Sequence, residues 1–275
     1  MVSHSELLSI AKNVAREAGE LVLKRRQGHI EVADTKSTLN DVVTAVDRES
    51  EGLIKSLLSE ARPGDGFLGE EGGSGESHTG VTWVVDPIDG TVNFLYGIPH
   101  YAVSVAAVEG PPDPHEWNIL AGVVCNPATG ELFFAQQGSG AYLGHRQIHV
   151  APPVPLENSL LLTGFAYAER YRKAQGELFS HIITQVRDIR RMGTASLDLA
   201  MIACGRANMY FERTLSPWDH AAGDLIVTEA GGVVRGFGND RPDREAIFAG
   251  HPDMVAGLQQ LVSHHGGDKP LATFD

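Results

Sequence analysis

Leu7, Ala11, Val14, Ala18 and Leu21 recur at helical spacing, which predicts an amphipathic helix at the start of the chain. A second helix is predicted from about 47 to 61, with Leu53, Ile54, Leu57 and Leu58 facing inward and Pro63-Gly64 just beyond its end. Short apolar runs at 83–86, 102–108, 119–125 and 132–135 are β-branched or aromatic and bounded by Gly, Pro or Asn. Each predicts a strand. NPATG joins the last two as a hairpin turn, and GPPDPHEW at 110–117 is a proline-rich loop. From 151 the pattern alternates. Strands are predicted near 159–163, 187–191, 208–212 and 246–249, and helices near 169–186, 195–205, 217–230 and 253–264. No repeat or low-complexity tract interrupts it, so the expected class is layered α/β.

Length and composition narrow the reading. The 275 residues suit one domain, divided into an N-terminal lobe (1–150) and a C-terminal α/β lobe (151–275). Against 22 Lys and Arg stand 35 Asp and Glu, a formal charge of −13. Such a chain lacks the cations that displace phosphate counterions, so no nucleic-acid partner is expected. Some of the surplus carboxylates can hold cations instead. Cys125 and Cys204 match neither a disulfide framework nor a metal knuckle, which points to a reducing compartment. No run reaches the roughly 18 apolar residues of a membrane span. Glu6, Lys12, Arg16 and Glu17 interrupt the apolar pattern where a signal peptide would be continuous. The expectation is a cytoplasmic protein with no membrane partner.

The chain has no GxxxxGK[ST], HExxH, CxxC or GxSxG motif, and its distinctive chemistry is acidic. In WVVDPIDGTVNF, Asp86 ends an apolar strand, Pro87 is expected to break it, and Asp89 follows in a turn closed by Gly90-Thr91. Two carboxylates held so close repel, and a divalent cation between them removes that penalty. Oxygen donors suit Mg²⁺ better than Zn²⁺. An Asp-Pro turn with a capping Asp is the plainer alternative. GFLGEEGG brings Glu70 and Glu71 to the end of another apolar run, where a solvated acidic loop is the alternative. In SPWDHAAGD, Ser216 reads as an N-cap, Pro217 as the first helical residue and Asp219 as the third, so capping and metal binding compete for one carboxylate.

GEE, DPIDGTxNF and WDxxAG followed by TEAGG, in this order and spacing, resemble the inositol monophosphatase family. The resemblance runs from KSTLNDVVTAVD at 36–47 to the C-terminal helix. It implies an alternating α-β-α-β-α sandwich of the sugar-phosphatase type, a homodimer, and lithium-sensitive hydrolysis of inositol monophosphate by metal-activated water. Two or three Mg²⁺ ions are the implied cofactors, and a small phosphate monoester the partner. By resemblance, Glu70 is a ligand of the first metal, Asp86 bridges two, and Ile88 offers its carbonyl. Asp89 and Asp219 are ligands of the second. Thr91, with Asp47, activates the attacking water. Gly90 and Thr91 bind phosphate through backbone N–H groups, and Lys36 lies near it. Glu212 accepts hydrogen bonds from inositol hydroxyls, and Gly193, Thr194 and Ala195 form a substrate-side loop.

Three features depart from the family pattern: Ser196 after the GTA turn, the long 110–117 loop, and His220 beside Asp219. None is expected to touch a proposed ligand, so they bear on substrate preference rather than activity. Histidinol-phosphate and fructose-1,6-bisphosphate phosphatases are alternatives on the same fold. A non-catalytic partner-binding protein is the alternative of another class, and it predicts loss of a ligand carboxylate.

Overall fold

The computed structural model describes residues 3–28, 32–35 and 42–274. The chain begins with α1 (His4–Arg26), the pair β1 (Val32–Thr35) and β2 (Val42–Thr44), and α2 (Ala45–Ala61). It continues through β3 (Gly66–Gly69), β4 (Ser74–Gly75), β5 (Val81–Asp89), the short α3 (Thr91–Tyr96), β6 (Ala102–Glu109) and β7 (Asn118–Asn126). β8 (Glu131–Gln136), β9 (Ala141–Leu143) and β10 (Arg146–Ile148) close the first half. The second half runs β11 (Leu160–Thr163), α4 (Glu169–Ile182), β12 (Asp188–Arg190), α5 (Ala195–Ala203) and β13 (Met209–Glu212). It ends with α6 (Pro217–Glu229), β14 (Val233–Arg235), β15 (Ile247–Gly250) and α7 (Pro252–His264).

The larger sheet has the order β10-β9-β8-β7-β6-β5-β3-β4, the smaller β12-β11-β13-β15-β14. Amphipathic α1 and α2 lay their apolar stripes on one face of the larger sheet, around Trp83, Val85, Val103, Val105 and Val123. α5 and α6 fill the space between the sheets and are apolar nearly all round. Gly122 and Gly223 let them sit close, because a Cβ at Gly122 would meet Ala222 O at 2.9 Å and one at Gly223 would meet Leu199 Cδ1 at 2.5 Å. α4 and α7 cover the outer face of the smaller sheet around Phe211 and Phe248. The layers therefore alternate α-β-α-β-α, as the resemblance implied.

The expected helices and strands form, with ends shifted by a few residues. One local expectation is corrected. Pro87 does not end its strand: β5 runs on to Asp89 and absorbs the proline in a register shift between Asp86 and Asp89. Proline has no N–H to give to the ladder, and a bulge is where a strand tolerates that.

Candidate active site

The bulge in β5 positions the first carboxylates. Asp86 is 1% exposed, and its Oδ1 accepts the Ile88 N–H at 3.0 Å. Gly90 then turns the chain into α3 at φ 88°, and a Cβ there would meet Thr194 Oγ1 at 2.3 Å, so glycine is required. The turn aims Thr91 at α2, with its Oγ1 2.9 Å from Asp47 Oδ1 and 3.0 Å from Ile88 O. Asp47 is fully buried and closes the capping box of α2 by accepting the Thr44 N–H at 2.9 Å.

Elements from the second half complete the site. Asn93 Nδ2 donates to His100 O and Met192 O, both at 2.8 Å, and Thr194 Oγ1 donates to His100 O at 2.8 Å. These bonds fasten the Gly193–Ala195 loop to the turn after β5. Asp89 Oδ2 then accepts the Ser196 N–H at 2.7 Å and the Ser196 hydroxyl at 2.6 Å. The expectation that Ser196 touches no proposed ligand is thus overturned, because α5 starts directly against Asp89. His220 keeps to that expectation: its Nδ1 lies 2.7 Å from Asp224 Oδ2, and its ring packs 5.8 Å from Trp117. The 110–117 loop is tied down elsewhere, by Arg241 Nη1 donating to Trp117 O at 2.7 Å. Asp219 does cap α6, since its Oδ2 accepts the Ser216 N–H at 2.7 Å. One oxygen serves the cap, so capping and metal binding are not exclusive for this carboxylate.

Glu212 ends β13, and its Oε2 accepts the Tyr210 hydroxyl at 2.7 Å. Gly164 leaves room for it, as a Cβ there would lie 2.0 Å from Glu212 Oε1. The neighbouring Arg213 is committed to Glu245 at 2.8 Å and to Gly267 O at 3.0 Å, leaving Glu212 outside any salt bridge with it. Glu70, Asp86, Ile88, Asp89, Gly90 and Thr91 share one cavity of about 490 Å³ with Gly193, Thr194, Ala195, Glu212 and Asp219. Asp47 stands behind it, reached through Thr91. Lys36 lies outside the described residues.

Burial and like charge dominate the electrostatics. Loss of water, then Glu70, Asp89 and Asp219, hold the Asp86 carboxyl well above the usual range. Asp219 is raised well above it for the same reasons, burial first and then Glu70 and Asp89. Burial pushes Asp89 up to about 6 against the two Ser196 bonds, and Glu212 up to about 7 against Tyr210 and Arg191. Asp47 is also raised by burial, which outweighs its Thr44 and Thr91 bonds.

Among the described residues no group of three or more His, Cys, Asp or Glu already stands in coordination geometry. The donor chemistry nonetheless fits a hard divalent cation. Glu70 and Asp89 raise both Asp86 and Asp219 through space, an effect that a positive charge among them would reverse. Asp86, Asp89 and Asp219 each pin one oxygen to a backbone N–H, which fixes how the second is presented.

Several site residues escaped the sequence reading. Glu51, buried in α2, accepts the Glu71 N–H at 2.8 Å and the Gly73 N–H at 3.0 Å and so anchors the loop that carries Glu70. Phe165, Tyr167, Trp218, Arg191 and Arg244 line the cavity. Thr214, also lining it, holds φ 73°, an uncommon conformation for a β-branched residue. Asn93 and Trp218 lay inside the quoted motifs, but no sequence signal marked the others, which come from separate segments of the chain.

The sequence model described as the inositol monophosphatase family matches residues 3–263. The chain is 43% identical over 248 residues to the inositol-1-monophosphatase SuhB of Mycobacterium tuberculosis, covering 84% of this chain and 83% of that protein. It is 40% identical over 274 residues to a protein of Xylella fastidiosa named Nus factor SuhB, covering 94% and 95%. The crystal structure of the extragenic suppressor protein suhB of Bartonella henselae superposes with a TM-score of 0.85 at 35% identity, covering 93% of this chain and 98% of that one.

Proposed function

The chain belongs to the inositol monophosphatase family, and from that premise we propose that it is a Mg²⁺-dependent phosphatase that hydrolyses inositol monophosphate to inositol and phosphate. The observation that carries this reading is the intact acidic set Glu70, Asp86, Asp89 and Asp219 around one cavity, with the Thr91–Asp47 pair at its edge. A non-catalytic descendant would have no reason to retain so costly a cluster of buried like charges.

Glu70, Asp86, Asp89, Asp219 and the Ile88 carbonyl would hold the cations. Bound Mg²⁺ would neutralise the phosphate, lower the pKa of bound water and stabilise the departing oxygen. Asp47 orients the Thr91 hydroxyl by accepting its hydrogen bond. Thr91 Oγ1 in turn can accept a hydrogen bond from the attacking water and direct its lone pair at phosphorus. The Gly90 and Thr91 backbone lines the phosphate end of the cavity, and Lys36 belongs near it by resemblance. Gly193, Thr194 and Ala195 flank the alcohol, with Glu212 as acceptor for its hydroxyls. A cytoplasmic homodimer is the accompanying expectation.

A second reading within the family rests on Arg191 and Arg244. Both are exposed at the rim of the cavity, and neither enters an ion pair among the described residues. Two such cations suit a substrate whose alcohol carries another anion, such as fructose-1,6-bisphosphate. Phosphate release from inositol-1-phosphate, histidinol phosphate and fructose-1,6-bisphosphate, with Mg²⁺ and with EDTA, tests both readings. The highest kcat/KM on inositol-1-phosphate supports the first, and on the bisphosphate the second. Undiminished turnover in EDTA overturns the metal dependence common to both.

A further inference from the structure

A second cavity, of about 560 Å³, opens between α1 and the β8–β9 hairpin. None of the residues proposed for catalysis lines it. Lys12 and Arg16 project from one face of α1, four residues apart. Phe134, Tyr142 and His145 form the opposite side. The charge arrangement is unusual for so acidic a chain. Among the described residues neither Lys12 nor Arg16 has a carboxylate within ion-pair range, although both sit in the same groove. The one carboxylate in the lining, Glu131, is engaged by Arg206, whose Nη1 donates to its Oε2 at 3.1 Å.

The aromatic side is ordered as a stack. The Lys12 ammonium lies 3.8 Å from the centre of the Phe134 ring, and the Phe134 and Tyr142 rings lie 5.6 Å apart and 14° from parallel. A ring face partly compensates a cation but leaves its charge unneutralised. Burial and the neighbouring Arg16 lower the Lys12 pKa, consistent with two cations held together without a counter-ion.

We propose that this groove is a binding site for a small organic anion bearing a planar ring, with its phosphate or carboxylate between Lys12 and Arg16 and its ring against Tyr142. The observations complement one another. The cations supply charge-assisted donors, the aromatic pair supplies a flat apolar surface, and the volume suits a ligand of nucleotide size. The site is separate from the acidic cavity, so a ligand here can act on the enzyme without competing with substrate.

The separation also makes the idea testable. Stripped of metal, the acidic cavity repels anions, and the groove remains the place for one to bind. AMP and inorganic phosphate are titrated by calorimetry into EDTA-treated protein. AMP should bind, and more tightly than phosphate, because phosphate has no ring. Lys12→Gln with Arg16→Gln keeps the aliphatic stems and should weaken AMP at least about tenfold. Tyr142→Leu should weaken AMP while leaving phosphate unchanged. Thermal melts and phosphatase activity of both variants should match wild type, which excludes misfolding as the cause. Absence of AMP binding to metal-free wild type, or equal affinity in the double variant, overturns the proposal. So does a change of oligomeric state in the double variant, which would make the groove an interface between copies of the chain.

Discussion

The Thr91 hydroxyl stands 2.9 Å from Asp47 Oδ1, although 44 residues separate the two in sequence. Asp47 is fixed by the first turn of α2 and Thr91 by the turn after β5, so the packing of α2 on the larger sheet sets this distance. On the proposed function the pair acts on the attacking water, and its effect belongs to the transition state. Thr91→Ala should lower kcat at least about a hundredfold with KM changed far less. Steady-state kinetics check this, and a pure KM effect would return Thr91 to a binding role.

Asp86 is the most enclosed of the cavity carboxylates, and Glu70, Asp89 and Asp219 all raise it. Asp86→Asn keeps the shape but removes the charge that would face two cations. Activity should fall by about a thousandfold or more. The metal-free variant should be at least as thermally stable as metal-free wild type, because one member of a repelling cluster has been neutralised. A variant within tenfold of wild-type activity would contradict the assignment.

Ser196 gives Asp89 two hydrogen bonds, one from the backbone and one from the hydroxyl. Ser196→Ala deletes the second. Bonds to a charged acceptor contribute roughly 1.5–3 kcal/mol. Asp89 should therefore ionise less readily, and the Mg²⁺ concentration for half-maximal activity should rise about threefold or more. A Mg²⁺ titration at saturating substrate reads this directly.

Glu212 carries two expectations. On inositol-1-phosphate, Glu212→Gln should lower kcat/KM at least about tenfold, or 1.4 kcal/mol, while leaving a simple aryl phosphate nearly unaffected. Equal losses on both would make it a general support of the site.

The second concerns pH. Folding raises the Glu212 carboxyl from 4.5 to about 7, so between those values the folded state binds more protons than the unfolded state. Stability of the metal-free protein should then fall as pH rises through this window and level off above it. Melting temperatures in EDTA at about pH 5 and about pH 8 should drop less for Glu212→Gln than for wild type. An equal drop would place the dependence on other carboxylates.

Much of this was legible in the sequence, for local reasons. The stripe Leu7–Ala11–Val14–Ala18 dictates an amphipathic α1, and Ser216-Pro217 with Asp219 dictates the start of α6, because periodicity and capping act within a few residues. DPIDGTVNF, with GEE and WDHAAG, marked through their family resemblance the carboxylates that the fold gathers around one cavity. What lay beyond a local window needed the tertiary structure. Only the packing of α5 against the β5 turn brings Ser196 to Asp89 across 107 residues, reversing its reading as an uninvolved departure. Glu51 looks like one more surface glutamate of α2 until the loop carrying Glu70 folds onto it. Whether Glu212 pairs with Arg213 was likewise decided by the fold, because Glu212, the last residue of β13, meets Tyr210 and the cavity while Arg213, just beyond the strand, meets Glu245. Hydrogen bonds between distant segments depend on where whole layers come to rest, and that position is a sum over the core which no short stretch of sequence contains.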